Sequence, residues 1–345
     1  MRKILFTISL ASSLLLLGQE AQFSQYFESK AVLNPAFIGT NPLISLSTNY
    51  NRTGSKSNEA YLELMQASIS YPLKRRTSKD FQMGGVGVTF WKESRGFEGL
   101  YTAQKVLLTG AYSIKLARLS NQKITFGLQG GVVQNQINGN SLEWGSQFSR
   151  YIGFDNSRDG ETVGTDAIFY PAINFGVIYS TFDHDNYFIR DKSLIVGASV
   201  DYLNRPEVEQ QGFGVAQRSR IYRAFGSFKV LMAPRLTLNP SGYILYSDGN
   251  EQVNAGVYLS TLVSAPRAFN AVVIEAGGWY RLQDSFILLA GMKINDIRIG
   301  VSADLNATSF DVNEALGNRL PTFEISLSYN FHLNQSTGNV SSPIF

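Results

Sequence analysis

Residues 323–333 alternate between apolar and polar side chains at every position. The odd positions hold phenylalanine, isoleucine, leucine or tyrosine, and the even positions hold glutamate, serine, asparagine or histidine. A β-strand points successive side chains to opposite faces, so the segment has one apolar wall and one polar wall. It is also long enough for a tilted strand that crosses a bilayer, which needs about 9–11 residues. The segment predicts a membrane-spanning strand.

Weaker forms of the same alternation recur along the chain, separated by clusters of turn-forming residues. They predict strands near 43–51, 60–72, 82–94, 99–116, 122–137, 167–182, 188–203, 217–232, 235–247, 250–262, 270–282, 284–295, 297–307 and 321–333. An even number of strands places both termini on one side of a membrane. The pattern therefore predicts an all-β protein, a single transmembrane antiparallel β-barrel of about 14 strands with periplasmic termini.

The gaps between these strands agree with that topology. The three longest gaps are 138–166, 204–216 and 308–320, and all three are odd-numbered connections, on the side opposite the termini. Outer-membrane barrels have long external loops and short periplasmic turns.

The alternative to a membrane barrel is a soluble β-sandwich or β-propeller. A propeller would show an internal repeat of fixed period, and a sandwich would have shorter strands.

The ends of the chain predict a division into four parts. Residues 1–18 have a basic start and an apolar stretch, which predicts a signal peptide cleaved after Gly18 or, alternatively, after Ala21. An ordinary hydrophobic helix is the other interpretation of this stretch. Residues 19–42 then form an N-terminal periplasmic segment, 43–333 the outer-membrane barrel, and 334–345 a C-terminal tail.

Composition fits a barrel and excludes several other classes. Mean hydropathy is −0.07 with 44% apolar residues, whereas a helical membrane protein would be far more apolar. The absence of cysteine excludes disulfides and thiolate metal sites. A formal net charge of +3 gives no basis for a nucleic-acid partner.

No catalytic motif is present in the sequence. It lacks the nucleophile elbow, the phosphate-binding loop and the zinc-protease helix motif. The two histidines, His184 and His332, stand far apart in polar positions. We therefore expect no enzymatic activity, no cofactor and no metal site.

Several short motifs together resemble one family. Residues 23–26 read Phe-Ser-Gln-Tyr, and residues 33–39 read Leu-Asn-Pro-Ala-Phe-Ile-Gly. A Gly-Ala-Ser stretch at 197–199 precedes an Asn-Arg-Pro turn at 204–206, and Asn239-Pro240 follows later. The order of these motifs resembles the PorP/SprF family of outer-membrane barrels, which is associated with type IX secretion and gliding motility in Bacteroidetes. The family motif residues are Phe23, Ser24, Gln25, Tyr26, Asn34, Pro35 and Gly39.

The resemblance implies a function and a location. It implies a non-enzymatic barrel in the outer membrane of a Gram-negative, Bacteroidetes-type bacterium. Such a barrel would assist secretion or surface attachment of a partner adhesin that carries a C-terminal secretion domain. It would also contact periplasmic ring or lipoprotein components, besides the lipid of the outer membrane.

Two alternatives remain at this stage. One is a channel or transporter of porin or fatty-acid-transporter type, although the polar lumen candidates form no opposed ladders of charge. These candidates are Glu63, Gln129, Glu275, Arg281 and Glu324. The other alternative is a structural anchor for the periplasmic ring or the gliding apparatus, which differs only in its partner.

Two segments are candidates for partner contacts. The apolar N-terminal motif could plug or brace the periplasmic mouth of the barrel, or pack beneath it without a partner. The external loop 138–166 carries aromatic residues of the kind that anchor interfaces, or that fold inward to cap the barrel or join the aromatic girdle. Its candidate partner-binding residues are Trp144, Phe148, Tyr151 and Phe154.

Overall fold

The structure is a computed structural model of the whole chain. It describes residues 21–54, 60–74, 82–97, 99–116, 122–138, 145–155, 158, 166–185, 190–210, 214–233, 235–263, 271–306 and 322–331. Within these ranges, no helix is both long and apolar enough to cross a membrane. The signal peptide and C-terminal tail predicted from the sequence, and Trp144, lie outside the described residues.

Fourteen long strands form the body of the molecule, which confirms the predicted fold. The first seven are β1 Ile44–Thr53, β2 Ala60–Lys74, β3 Gln82–Phe97, β4 Tyr101–Lys115, β5 Gln122–Ile137, β6 Ile168–Asp185 and β7 Arg190–Asp201. The other seven are β8 Ile221–Ala233, β9 Leu236–Ser247, β10 Asn250–Leu262, β11 Val272–Arg281, β12 Ser285–Ile294, β13 Ile297–Asn306 and β14 Thr322–Phe331.

Neighbouring strands pair antiparallel around a closed barrel, and β1 closes it against β14. That last pairing runs without a shift from Ile44↔Phe331 to Thr53↔Thr322. Closure leaves no exposed strand edge, as a sheet surrounded by lipid requires. We call the end where β1 begins and β14 ends the terminal end, and the opposite end the loop end.

The three longest connections, 138–167, 202–220 and 307–321, all lie at the loop end. Two of them contain short hairpins where they are described, Phe148–Ser149 with Gly153–Phe154, and Glu207–Gln210 with Gly214–Gln217. Because periplasmic turns are short and external loops are long in outer-membrane barrels, the terminal end is the periplasmic one.

The alternation in the sequence decides which side chains face outward. In β14, Phe323 is 60% and Ile325 is 55% exposed, whereas Glu324 is 1% exposed and points into the lumen. The outer wall therefore presents apolar side chains to the hydrocarbon of the bilayer. Glu63 is predicted to face the lumen, but in the structure it lies on the outward face of β2, as Met65 does. The residue between them, Leu64, is the one that faces inward and is buried.

The lumen has two unlike halves. Strands β6 to β12 turn a continuous cluster of buried apolar side chains inward, among them Tyr170, Ile178, Ile221, Phe225, Tyr243, Leu245, Tyr258, Trp279 and Ile287. Strands β13, β14, β1, β2 and β3 turn buried polar side chains inward, among them Ser302, Asp304, Glu324, Ser326, Asn49, Asn51, Gln66, Ser68 and Thr89. The division is not complete, since β2 and β3 also bury Leu64 and Trp91, and β7 and β8 bury the ion pair of Asp201 and Arg223. A segment inside this barrel is therefore expected to be mainly apolar on one side and mainly polar on the other.

Candidate functional site

The N-terminal segment occupies the lumen. We call its described residues, 21–43, the plug. It consists of a turn, a short helix α1 (Lys30–Leu33) and a 3₁₀ turn (Pro35–Gly39), followed by the start of the barrel wall. The sequence predicts that this segment lies at the periplasmic end. In the structure it instead runs from the loop half of the lumen down to the terminal end, because its aromatic side chains are buried against the apolar half of the wall.

In the loop half, the plug is held by a buried carboxylate of the wall. The backbone amides of Ser24 and Gln25 donate to Glu324 at 2.6 and 3.0 Å. The side-chain amide of Asn51 donates to the same carboxylate at 3.1 Å. Three donors therefore converge on one buried carboxyl group, and a buried donor left without its acceptor costs about 1–3 kcal/mol, so this is a strong attachment.

The hydroxyl of Ser24 extends this attachment to a second carboxylate. It donates to Asp304 at 2.8 Å, and the guanidinium of Arg281 lies 3.2 Å from the same aspartate. The side-chain amide of Gln25 donates to Ser302 at 3.2 Å. The Ser-Gln pair of the family motif therefore binds the polar half of the lumen.

Tyr26 of the motif and its neighbour Phe27 pack on the opposite half, whereas Phe23 packs against Leu64 and Trp91 on β2 and β3. Tyr26 stacks on Tyr243 at 5.1 Å between ring centroids, and Phe27 stacks on Trp279 at 5.3 Å. The hydroxyl of Tyr26 donates to Ser241 at 2.8 Å. Burial raises the pKa of Tyr26 to about 12, so the phenol stays protonated and keeps this donor.

Asn34 and Pro35 form the turn between α1 and the 3₁₀ turn. The side-chain oxygen of Asn34 accepts from the amide of Ala36 at 2.9 Å, which caps the turn. Its side-chain amide donates to the carbonyls of Val177 and Ala198 at 3.2 and 2.9 Å. Proline suits the first position of the turn because its missing N–H would have no partner there. Asn34 thus ties the plug to β6 and β7.

Glycines on the inward face of the wall make room for the plug. A Cβ at Gly127 would lie 2.3 Å from the backbone nitrogen of Ala36. On the plug itself, a Cβ at Gly39 would lie 2.9 Å from the Cβ of Ala111. Glycine inside a strand marks a close approach of another backbone, so the inward glycines were a sequence signal for this arrangement.

A charged cluster crosses from the plug to the wall in the terminal half. Arg298 on β13 binds Glu28 of the plug and, at 2.6 Å, Glu275 on β11. Lys30 lies in the same region, and burial lowers the pKa of its ammonium to about 8, with Glu28 opposing the shift. The sequence predicts Glu275 as a lumen residue. It does not predict that Glu275 binds Arg298 or that Arg298 also binds Glu28, since these residues come from distant parts of the chain.

Two small cavities lie beside the plug in the described part of the chain. One of about 50 Å³ lies on the loop side, next to Phe23 and Trp91. One of about 60 Å³ lies at the terminal end, next to Lys30 and Lys293. Pockets that hold drug-sized molecules measure about 300–1,000 Å³, so neither cavity suits a cargo of that size.

The external loop presents the predicted aromatic residues to solvent. Phe148 is 64% and Tyr151 is 94% exposed, and Phe154 is also exposed. The backbone amide of Asp155 donates to the carbonyl of Gln147 at 2.9 Å, which closes the base of this hairpin. These three aromatic residues stand on a folded projection and do not fold into the lumen.

The residues that the structure describes contain no group of three or more histidine, aspartate or glutamate side chains that could hold a metal ion. The arrangement of plug and wall offers hydrogen bonds, ion pairs and aromatic packing. These interactions hold a polypeptide segment in place.

Comparisons with known proteins give weak structural likenesses and one family. The chain is similar to the toluene transporter TbuX of Ralstonia pickettii, with 10% identity over 88% of this chain and 94% of that chain, at a TM-score of 0.47. It is similar to a FadL homologue of Pseudomonas aeruginosa, with 13% identity over 88% and 94%, at 0.48. It is also similar to BamA of Haemophilus ducreyi lacking POTRA domains 1–3, with 10% identity over 85% and 70%, at 0.41.

Likenesses of this size say nothing about what this chain binds or transports. No curated protein sequence matches the chain. The family model described as type IX secretion system membrane protein PorP/SprF matches residues 16–329, nearly the whole chain. The chain therefore belongs to the PorP/SprF family of type IX secretion system membrane proteins, and its barrel lies in the outer membrane.

Proposed function

We propose that this protein is a non-enzymatic barrel that assists the secretion or surface attachment of a partner adhesin through the adhesin's C-terminal secretion domain. Family membership establishes the secretion system, and the cargo-assisting role is the proposal. The observation that carries it is the contrast between a lumen filled by the plug and an aromatic hairpin exposed at the loop end.

The aromatic hairpin supports docking of a protein at the outer surface. Aromatic anchors dominate the energetics of most interfaces because they bury a large area when a partner covers them. Phe148, Tyr151 and Phe154 supply such area on a hairpin closed by backbone hydrogen bonds, so little ordering is needed on binding.

A channel or transporter is supported less well. Passage through the barrel would require the plug to leave the lumen, and the plug is bound in the loop half by Glu324 and at the terminal end by Lys123. A structural anchor for the periplasmic ring remains a second proposal. It would use the terminal end, where the turns and the base of the plug are located.

The test is a double substitution in the hairpin, Phe148→Ala with Tyr151→Ala. The surface level of the adhesin should fall about tenfold or more, because each lost anchor costs about 1–2 kcal/mol of binding. Val215→Ala is the matched control, since Val215 is 64% exposed on the neighbouring hairpin. It should leave adhesin display unchanged.

Normal adhesin display in the double variant would contradict the hairpin as the docking site. Purification of the barrel in mild detergent then shows which partner remains bound. Recovery of ring or lipoprotein components without any adhesin would favour the anchor function.

A further inference from the structure

The cavity at the terminal end carries an excess of positive charge. Lys30 of the plug, Lys293 on β12 and Arg298 on β13 line it, together with Glu28. Glu275 lies behind it and binds Arg298. These five side chains carry three positive and two negative charges. Lys229 and Asp296 also act on Lys293, with opposite signs.

Both carboxylates are directed at the arginine. Glu28 and Glu275 each form an ion pair with Arg298. Lys293 is the cross-strand neighbour of Arg298 in the register of β12 and β13, so two like charges stand directly opposite each other. The two carboxylates offset these two charges, and Lys30 then leaves the five side chains with one positive charge in excess. The cavity therefore favours an anion of one negative charge.

Hydroxyl groups on β1 and β2 also line the cavity. Ser45 and Ser70 lie 2.6 Å apart, and Ser47 and Ser68 lie 2.8 Å apart, Oγ to Oγ. All four line the cavity. In each pair one hydroxyl donates to the other, so the proton of the accepting hydroxyl is left to point at a third group. An anion in the cavity would meet donors as well as cations.

Size and position restrict the ligand. The cavity volume is about 60 Å³, and a water molecule needs about 10–15 Å³ of such space, so the cavity has room for a group as small as a carboxylate. Asn41 and Asn330, at the rim of the barrel, also line it, so access is from the terminal, periplasmic end.

We propose that this cavity is a binding site for a carboxylate that enters from the periplasm and bridges Lys30 of the plug to Lys293 of the wall. The carboxylate belongs either to a small organic acid or to the C-terminus of a polypeptide. Its binding holds the plug in the barrel. This site is separate from the adhesin-docking hairpin and does not depend on the proposed function.

The experiment measures the heat-unfolding midpoint of the full-length folded barrel in detergent, with acetate or chloride at the same ionic strength. Acetate should raise the midpoint of the wild-type protein by a few degrees, because a ligand that binds only the folded state stabilises it. Lys293→Gln and Lys30→Gln should lose this shift, and Lys293→Arg should keep it. Without acetate, Lys293→Gln should unfold at a higher temperature than the wild type, since the like-charge pair is gone.

Lys123→Gln is the matched control. Lys123 is another lysine near the terminal end, but it donates to the carbonyl of Thr40 at 3.1 Å and does not line the cavity. It should keep the acetate shift. Trialanine and trialanine amide separate the two sources: a shift with acetate and with trialanine but not with the amide assigns the site to a chain terminus, and a shift with acetate alone assigns it to a small acid.

Two results would overturn the proposal. One is an acetate shift in the wild-type protein no larger than that with chloride. The other is an equal acetate shift in Lys293→Gln and Lys30→Gln, which would place the anion elsewhere.

Discussion

Gly127 is one of the residues at which the wall comes closest to the backbone of the plug. Gly127→Ala would place a methyl group 2.3 Å from the backbone nitrogen of Ala36, so the plug must shift. We expect a loss of about 1–3 kcal/mol in the free energy of unfolding, the usual cost of overpacking. Chemical denaturation of the refolded barrel measures it.

Gly110→Ala is the control for this substitution. Gly110 lies in the neighbouring strand β4, and a Cβ there meets nothing within 4 Å. Alanine is favoured over glycine inside a strand, so the control should be neutral or slightly stabilising. Equal destabilisation by both substitutions would contradict a plug packed against Gly127.

Glu324 is the second residue on which the plug depends. Glu324→Gln keeps the shape of the side chain but replaces one accepting oxygen by an NH2 donor, so at least one of the donors from Ser24, Gln25 and Asn51 loses its acceptor. We expect a loss of about 2 kcal/mol of stability, since a buried donor left without its acceptor costs about 1–3 kcal/mol. The same denaturation measurement applies.

Glu63→Gln is the matched control for Glu324→Gln, because Glu63 faces outward from β2. It should change the stability by less than about 0.5 kcal/mol. A result in which the two glutamates matter equally would mean that the carboxylate of Glu324 does not hold the plug.

At the scale of elements, the plug decides whether the lumen is open. Deleting residues 22–41 removes the ring stacking of Tyr26 and Phe27 and every polar contact of the segment with the wall. The shortened barrel should conduct ions in planar bilayers, with long-lived open events that the full-length protein lacks. Conductance recordings of the two proteins measure this difference.

Deletion of the loop hairpin 146–154 is the control for plug removal. The hairpin stands outside the lumen, so its loss should leave the barrel as closed as the full-length protein. Large conductance in the intact protein would show that the plug is not the barrier.

The strands were predictable because their signal is local. All fourteen have counterparts in the sequence prediction, since alternation with period two reports the two faces of a strand without knowledge of its neighbours. The plug was only half predictable. Its apolar character and its turn at Asn34-Pro35 can be read from the sequence, but its depth in the barrel depends on wall residues that lie up to about 300 positions away.

For the whole molecule, closure of the barrel predicts resistance to unfolding and to extraction. The protein should migrate faster on a gel without heating than after boiling, because a closed barrel with every strand paired stays folded in detergent at room temperature. It should also remain in the membrane pellet after a carbonate wash. Release by carbonate without detergent would contradict a transmembrane barrel.

The sequence by itself determined the class, the number and order of the strands, the end with the long loops, and the family. These follow from alternation, spacing and short motifs, which are properties of neighbouring residues. The tertiary structure alone decided that the lumen has an apolar and a polar half, and that the family motif binds both. That arrangement depends on closure, because only a closed barrel brings Ser24 to Glu324, Glu28 to Arg298 and Asn34 to Ala198.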